Sequence, residues 1–181
     1  MNYIVLDLEA TCWLGKPPKG INEIIEIGAV KINDYGEVTG HFSKLIKPVV
    51  NPRLSGFCKK LTGIKQAQLN TADKFDKVIA QFQDFIGYGE EDFVLYSWGN
   101  NDKDYLKKNC ELFDLETTWL DNFVDMRKIY LDITGHKRKS GLKVIVESEG
   151  FEFEGEQHSA YVDAYNLSKI FIKYLDDWKV Y

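Results

Sequence analysis

Apolar residues fall into short unbroken runs early in the chain and into spaced sets later on. Tyr3 to Thr11 begins with a run rich in β-branched residues, the pattern of a central strand covered on both faces. Gly15, Pro17, Pro18 and Gly20 make Cys12 to Gly20 a loop. Ile21 to Ile32 predicts a second strand, Asn33 to Glu37 a hairpin turn with Gly36 at positive φ, and Val38 to Ile46 a third, antiparallel strand. Pro48 and Pro52 mark irregular chain, Leu54 to Leu61 predicts a short helix, and Thr62-Gly63-Ile64 a turn. From Asp73, apolar residues recur at three- and four-residue spacing (Phe75, Val78, Ile79, Phe82, Phe85, Ile86), giving an amphipathic helix that Thr71 or Asp73 can cap. Phe93 to Trp98 predicts a short buried strand, and Gly99-Asn100-Asn101 turns it into a helix from about Asp102 to Leu112. Phe123-Val124 predicts a fifth strand leading to a helix through Ile129 and Tyr130. Ser140 is the expected N-cap of a helix through Val144 to Val146, and Ala160 to Leu175 is a last amphipathic helix.

A meander of three antiparallel strands followed by alternating helices and strands predicts an α/β fold, with a mixed sheet flanked by helices. At 181 residues, 44% hydrophobic and 28% charged, the chain is expected to form a single domain over residues 1–181. The net charge of −5 argues against a protein that coats nucleic acid by bulk electrostatics, but leaves room for an enzyme whose bound metals supply local positive charge. Cys12, Cys58 and Cys110 are an odd, scattered set, which predicts reduced thiols and a cytoplasmic protein. The first run is too short and too acidic for a signal peptide, and no membrane association is expected.

Two carboxylates interrupt the first strand. Asp7 and Glu9 are two positions apart, so in a strand they leave the same face. Neighbouring carboxylates repel and lose hydration when buried, and a hard cation such as Mg²⁺ or Mn²⁺ relieves both costs. Asp102 opens a helix at the end of a strand, where α/β proteins place ligands. Asp163 lies one turn inside the last helix, and His158 precedes it by five residues, in a loop that leaves the imidazole free to swing. Singly, these are an N-cap, a surface acid and a solvated imidazole. Together, four acids and one base around one sheet face suit two-metal chemistry. There, cations activate a water, hold a scissile phosphate and stabilise the leaving oxygen, while a histidine takes the proton. The basic loop His136, Lys137, Arg138, Lys139 and Lys143 reads either as a solvated loop or as a contact for substrate phosphates.

Asp7-Leu8-Glu9-Ala10-Thr11 with Asn22-Glu23-Ile24-Ile25-Glu26-Ile27-Gly28 resembles the first motif region of the DEDDh 3′→5′ exonucleases, which have an RNase H-like fold. Ser97-Trp98 followed by Asp102, and His158-x-Ala160-x-x-Asp163-Ala164, resemble the later motifs. The block Asn51-Pro52-x-Leu54-Ser55-x-Phe57-Cys58-x-x-Leu61-Thr62-Gly63-Ile64 resembles the Eri-type branch, which includes the bacterial sporulation-inhibitor (KapD-like) members. The resemblance implies that Asp7, Glu9, Asp102 and Asp163 bind two Mg²⁺ or Mn²⁺ ions, that Glu9 also serves catalysis, and that His158 is the general base. Many relatives place the second aspartate directly after the tryptophan, whereas here Gly99-Asn100-Asn101 intervenes, so Asp104 stands as a rival to Asp102.

The expected activity is removal of nucleoside 5′-monophosphates from the 3′ end of single-stranded nucleic acid, RNA ahead of DNA. Protein partners are not legible. Thr11, Phe57, Leu61 and Trp98 are the candidates for substrate contact. Trp13, like Phe57 and Trp98, offers a ring for base stacking, with core packing as the plainer role. Two other readings use the same residues: a nucleotide- or RNA-end-binding protein without turnover, and a small-molecule phosphodiesterase.

Overall fold

The computed structural model describes residues 1–99, 101–135 and 140–178. Asn100 and residues 136–139, which carry most of the basic loop, lie outside them. Five strands form one sheet: β1 (Asn2–Ala10), β2 (Ile24–Ile32), β3 (Val38–Leu45), β4 (Phe93–Ser97) and β5 (Phe123–Asp125), in the order β3-β2-β1-β4-β5. β1 pairs antiparallel with β2 and parallel with β4, so the expected meander and the parallel strands meet on the first strand of the chain. Ile4, Leu6 and Leu8 enter one apolar layer, and Tyr3 and Val5 the other.

The first layer is closed by α3 (Phe75–Ile86) and α4 (Asn101–Leu112). α3 buries Phe75, Val78, Ile79, Phe82 and Ile86, each contributing about 1.5–3 kcal/mol by burial. The second layer lies under α5 (Met126–Thr134), α6 (Leu142–Ser148), α7 (Ala160–Lys173) and the short α8 (Leu175–Trp178). A small third cluster forms where α1 (Gly56–Thr62) and α2 (Gln66–Thr71) cover the end of β1 and β2. It is built on Ile25, Leu54, Cys58, Ile64 and Leu69.

Several boundaries differ from the sequence expectation. β2 starts at Ile24 because the preceding residues serve the loop instead: Asn22 donates to the Thr11 carbonyl at 2.6 Å, and Thr11 and Glu23 pair through their backbones. The Glu23 carboxylate is buried and accepts the N–H groups of Val49, Val50 and Asn51 at 2.6, 2.8 and 2.6 Å. α2 had no apolar periodicity to announce it. Lys74, without a side-chain bond, is the N-cap of α3, while Asp73 pairs with Lys77 at 2.8 Å and Thr71 ends α2. Gly141, not Ser140, is the N-cap of α6. The last helix ends at Lys173, and α8 follows as a separate turn.

α7 comes closer to the sheet than side chains ordinarily allow. A Cβ built on Gly28 would sit 2.1 Å from the Tyr161 backbone nitrogen and 2.2 Å from the Ala160 carbonyl carbon. The Glu26 carboxylate, one sheet position away on the same face, accepts the Ala160 N–H at 3.0 Å. Backbone lies against backbone here, and neither can yield as a flexible side chain would. Gly28→Ala is therefore expected to destabilise the protein by about 3 kcal/mol or more, the upper range for overpacking, measured by urea denaturation. An unchanged midpoint would mean that α7 does not sit this close.

Candidate active site

Strand alternation carries the second face of β1 from Tyr3 and Val5 to Asp7 and Glu9, just beyond the apolar layer. Their partners across the antiparallel ladder are Gly28 and Glu26. The first turn of α7 lies on these positions, and its fourth residue is Asp163. His158, just ahead of the helix, holds a left-handed backbone with φ of 67°, and its N–H donates to Asp163 Oδ2 at 3.0 Å. The backbone at 158 is thus tied down rather than free, and only the exposed imidazole has room to turn. It stands with Nδ1 3.9 Å from Glu9 Oε1. Ligand atoms of Glu9, His158 and Asp163 all lie within 4.8 Å of one another.

The remaining acids join through charge. Burial, then the charges of Asp102, Asp163, Glu9 and Glu26, push the Asp7 carboxyl well above the usual carboxylate range. Burial and then Asp163, Glu26 and Asp102 push Glu9 up to about 8. Asp102, on the first turn of α4, is raised to about 7 by burial, with Asp125 adding to it and a hydrogen bond from Ser97 opposing it. Burial also raises Asp163, against the pull of the His158 N–H. Asp104, the rival to Asp102, is exposed.

Glu26 was not singled out from sequence. It is buried, is raised by burial despite its bond from Ala160, and adds charge beside Glu9 and Asp7. The signal for it was the ladder register, which puts it opposite Glu9 once β1 and β2 are paired.

The donor set fits a hard divalent cation. It consists of carboxylate oxygens, the ligands such ions take, with one imidazole beside them. Asp163 Oδ1 is buried and has no hydrogen-bond partner, a costly state that a cation would relieve. Mutual repulsion among the acids is a second unfavourable term of the same kind.

The four candidates for substrate contact sit differently. Thr11 is buried, and its hydroxyl accepts the Glu23 N–H at 2.8 Å, so it ties the loop to β2. Phe57 is exposed on α1, with the half-buried Leu61 one turn further along the same helix face. Trp98 is half-buried against Tyr130, ring centroids 5.5 Å apart, and its indole N–H reaches the Ser140 carbonyl at 3.4 Å. α1 hangs at the end of β1, with the Ser55 hydroxyl donating to the Cys12 carbonyl at 2.6 Å.

The family description of exonucleases matches residues 4–171. The chain belongs to the exonuclease family. It is 31% identical over 185 residues to human 3′-5′ exoribonuclease 1, covering 97% of this chain and 53% of that protein. The probable 3′-5′ exonuclease KapD of Bacillus subtilis is 30% identical, over 94% of this chain and 82% of its own length. The solved nuclease domain of 3′hExo, a DEDDh family member bound to rAMP, superposes with a TM-score of 0.88 at 30% identity, covering 97% of this chain and 92% of that one. The exonuclease chain thus spans about half the length of the human relative. Its sheet and flanking helices are those of the RNase H-like exonucleases, and the DEDDh exonucleases are metal-dependent.

The raised carboxyl groups have a consequence for the metal-free protein. A folded pKa above the unfolded one means that the folded state holds more protons, so stability is full in acid and is lost as pH rises through the folded values. With Glu9 at about 8 and Asp102 at about 7, the loss falls between about pH 4 and pH 8. In chelator, melting temperature should fall from about pH 5 to about pH 8.5, and Mg²⁺ or Mn²⁺ should raise it again at the higher pH. A flat profile without metal would contradict the raised carboxyl groups and the burial and charge that raise them.

Proposed function

We propose that this chain is a metal-dependent 3′→5′ exonuclease that releases nucleoside 5′-monophosphates from single-stranded nucleic acid, RNA ahead of DNA. The observation that carries this reading is the crowding of Glu9 and Asp163, with Asp7 beside them and Asp102 within reach of their charge, next to an exposed imidazole. The four acids would hold two Mg²⁺ or Mn²⁺ ions. Such ions, when bound, activate water and neutralise charge developing on the phosphate. His158 takes the proton of the attacking water on its imidazole, and its exposure lets it pass that proton to solvent. Asp163 holds the backbone of this base, and Glu26 holds the first turn of α7 that carries Asp163. Asp102 takes the second-motif role rather than Asp104, because it is drawn into the charge cluster while Asp104 is exposed. A protein that bound strand ends without cutting would have no use for an imidazole beside Glu9. The name of the human relative, an exoribonuclease, favours RNA. Action as a single domain and a cytoplasmic location complete the reading.

The test is digestion of 5′-labelled RNA and DNA strands with Mg²⁺ or Mn²⁺. Stepwise shortening from a free 3′-hydroxyl, with nucleoside 5′-monophosphates as products, is expected, and it should stop with chelator. Products bearing a 3′-phosphate, equal cutting of a circular strand, or full turnover in verified metal-free protein would each sink the proposal.

Three substitutions assign the roles. His158→Ala should lower the rate about 10²–10⁴-fold, with part of the loss recovered at high pH where hydroxide is plentiful. Asp102→Asn should cost orders of magnitude and Asp104→Asn little. Unchanged turnover in His158→Ala at neutral pH, or the reverse ranking of the two aspartates, would remove these assignments.

A further inference from the structure

The acids of the site pose a problem for the substrate as well as for themselves. A strand approaching five crowded carboxyl groups is repelled by them, so its phosphates need cations nearby but outside the metal centre. The distribution of charge along the chain supplies such a place. Residues 38–72 contain Lys44, Lys47, Arg53, Lys59, Lys60 and Lys65 and no acidic residue, and residues 10–22 contain Lys16 and Lys19 and none either. These segments carry eight cations in a chain whose net charge is −5. Four lysines elsewhere pair with acids, in Lys31–Glu91, Lys77–Asp73, Lys169–Glu154 and Lys173–Glu149. Among the described residues, none of the eight forms an ion pair.

Two of the eight flank an aromatic ring in a groove. A pocket of about 250 Å³ lies between the loop after β1 and residues 50–53, lined by Trp13, Pro18, Lys19, Pro52 and Arg53 among others. Its walls are held together by the buried Glu23, which binds the N–H groups of Val49, Val50 and Asn51 on one side. On the other, Glu23 pairs with Thr11 through its backbone. Lys19 Nζ adds a bond to the Val50 carbonyl at 3.0 Å, leaving two N–H donors for other acceptors. Arg53 is exposed. Trp13 follows Glu9 by four residues, so its backbone lies at most ~14 Å from that of Glu9. A braced groove with an aromatic wall and cations at its rim, this close to the metal centre, has the parts of a single-strand site.

We infer that this groove binds the stretch of single-stranded nucleic acid upstream of the 3′ end, with Trp13 stacking on a base and Lys19 and Arg53 on its phosphates. This rests on the exonuclease reading for the direction of the strand, and it adds a site that holds substrate away from the bond being cut. A groove that stacks bases and pairs with phosphates reads no base edges, so it grips any sequence and favours longer strands over short ones.

Binding without turnover separates the two ideas. Fluorescence anisotropy in chelator, with 5′-labelled RNA and DNA strands of about 4 and about 20 nucleotides, gives affinity and its salt dependence. Trp13→Ala should weaken binding of the longer strands roughly ten- to hundredfold, the range of one base-stacking contact. Lys19→Ala with Arg53→Ala should reduce the slope of log affinity against log salt by about 1.4, two phosphate contacts on a single strand. Lys128→Ala, an exposed lysine on α5, should leave the slope unchanged. Wild-type affinity and slope in the groove variants of a protein that digests strands would overturn this site and leave the exonuclease reading standing. So would an equal loss in Lys128→Ala. Strand binding that depends on Trp13, Lys19 and Arg53 in a protein that cuts nothing would do the opposite. Should RNA and DNA strands lose affinity alike, the groove holds the chemistry they share; a loss confined to one would overturn the sequence- and sugar-blind contact described here.

Discussion

The first turn of α7 lies on β2 with no side chain between them, because position 28 has none. Layers of helix on sheet are ordinarily held apart by side chains, and at that spacing Asp163 would hang well clear of Asp7 and Glu9. Removing one Cβ lets the two backbones touch, and the bond from the Ala160 N–H to Glu26 fixes the contact in register. Glu26 satisfies a donor at the start of a helix, where backbone N–H groups have no partner of their own. The same carboxyl sits among the acids and adds to their repulsion. One residue thus holds the site together and makes it electrostatically uncomfortable.

That discomfort is carried by the rest of the fold. Two apolar layers, one on each face of the sheet, run through Ile4, Leu6 and Leu8 on one side and Tyr3 and Val5 on the other. The acids begin where the second layer stops, so each is desolvated by a core it does not belong to. Burial is the first cause of every raised carboxyl in the cluster, ahead of any neighbouring charge. The core therefore sets how strongly the site calls for a cation, and the neighbours only add to it.

Much of this was legible before any coordinates. A period of two put Asp7 and Glu9 on one face, and a period of three and four placed α3 with its buried side chains. Asp102 at the end of β4 and Asp163 in the first turn of the last helix followed from where apolar runs stop. The unread parts share a physical cause: they depend on contacts between segments distant in the chain. Glu26 matters because of its cross-strand partner and a helix N–H 134 residues away. β2 starts late because Asn22 and Glu23 are spent on the loop, and α2 buries Leu69 alone, too little for a period to show. Thr11, read as a substrate contact candidate, also accepts the Glu23 N–H on its hydroxyl, a contact with a segment distant in the chain.

His158 and Asp163 are joined by more than the site they share. The carboxylate that would face a cation also accepts the backbone N–H of the base, at a residue whose φ of 67° is uncommon for a side chain with a Cβ. One oxygen of Asp163 thus fixes the chain while the other stands without a partner. The two oxygens divide the work of a single side chain. A defect at position 163 is consequently pleiotropic within one molecule: it empties a ligand position and unclamps the base together, and its phenotype cannot be partitioned between them. His158→Ala does not carry this ambiguity, since the clamp there is made by the main chain; only proline, which has no N–H, or a β-branched residue, which resists φ of 67°, would disturb it.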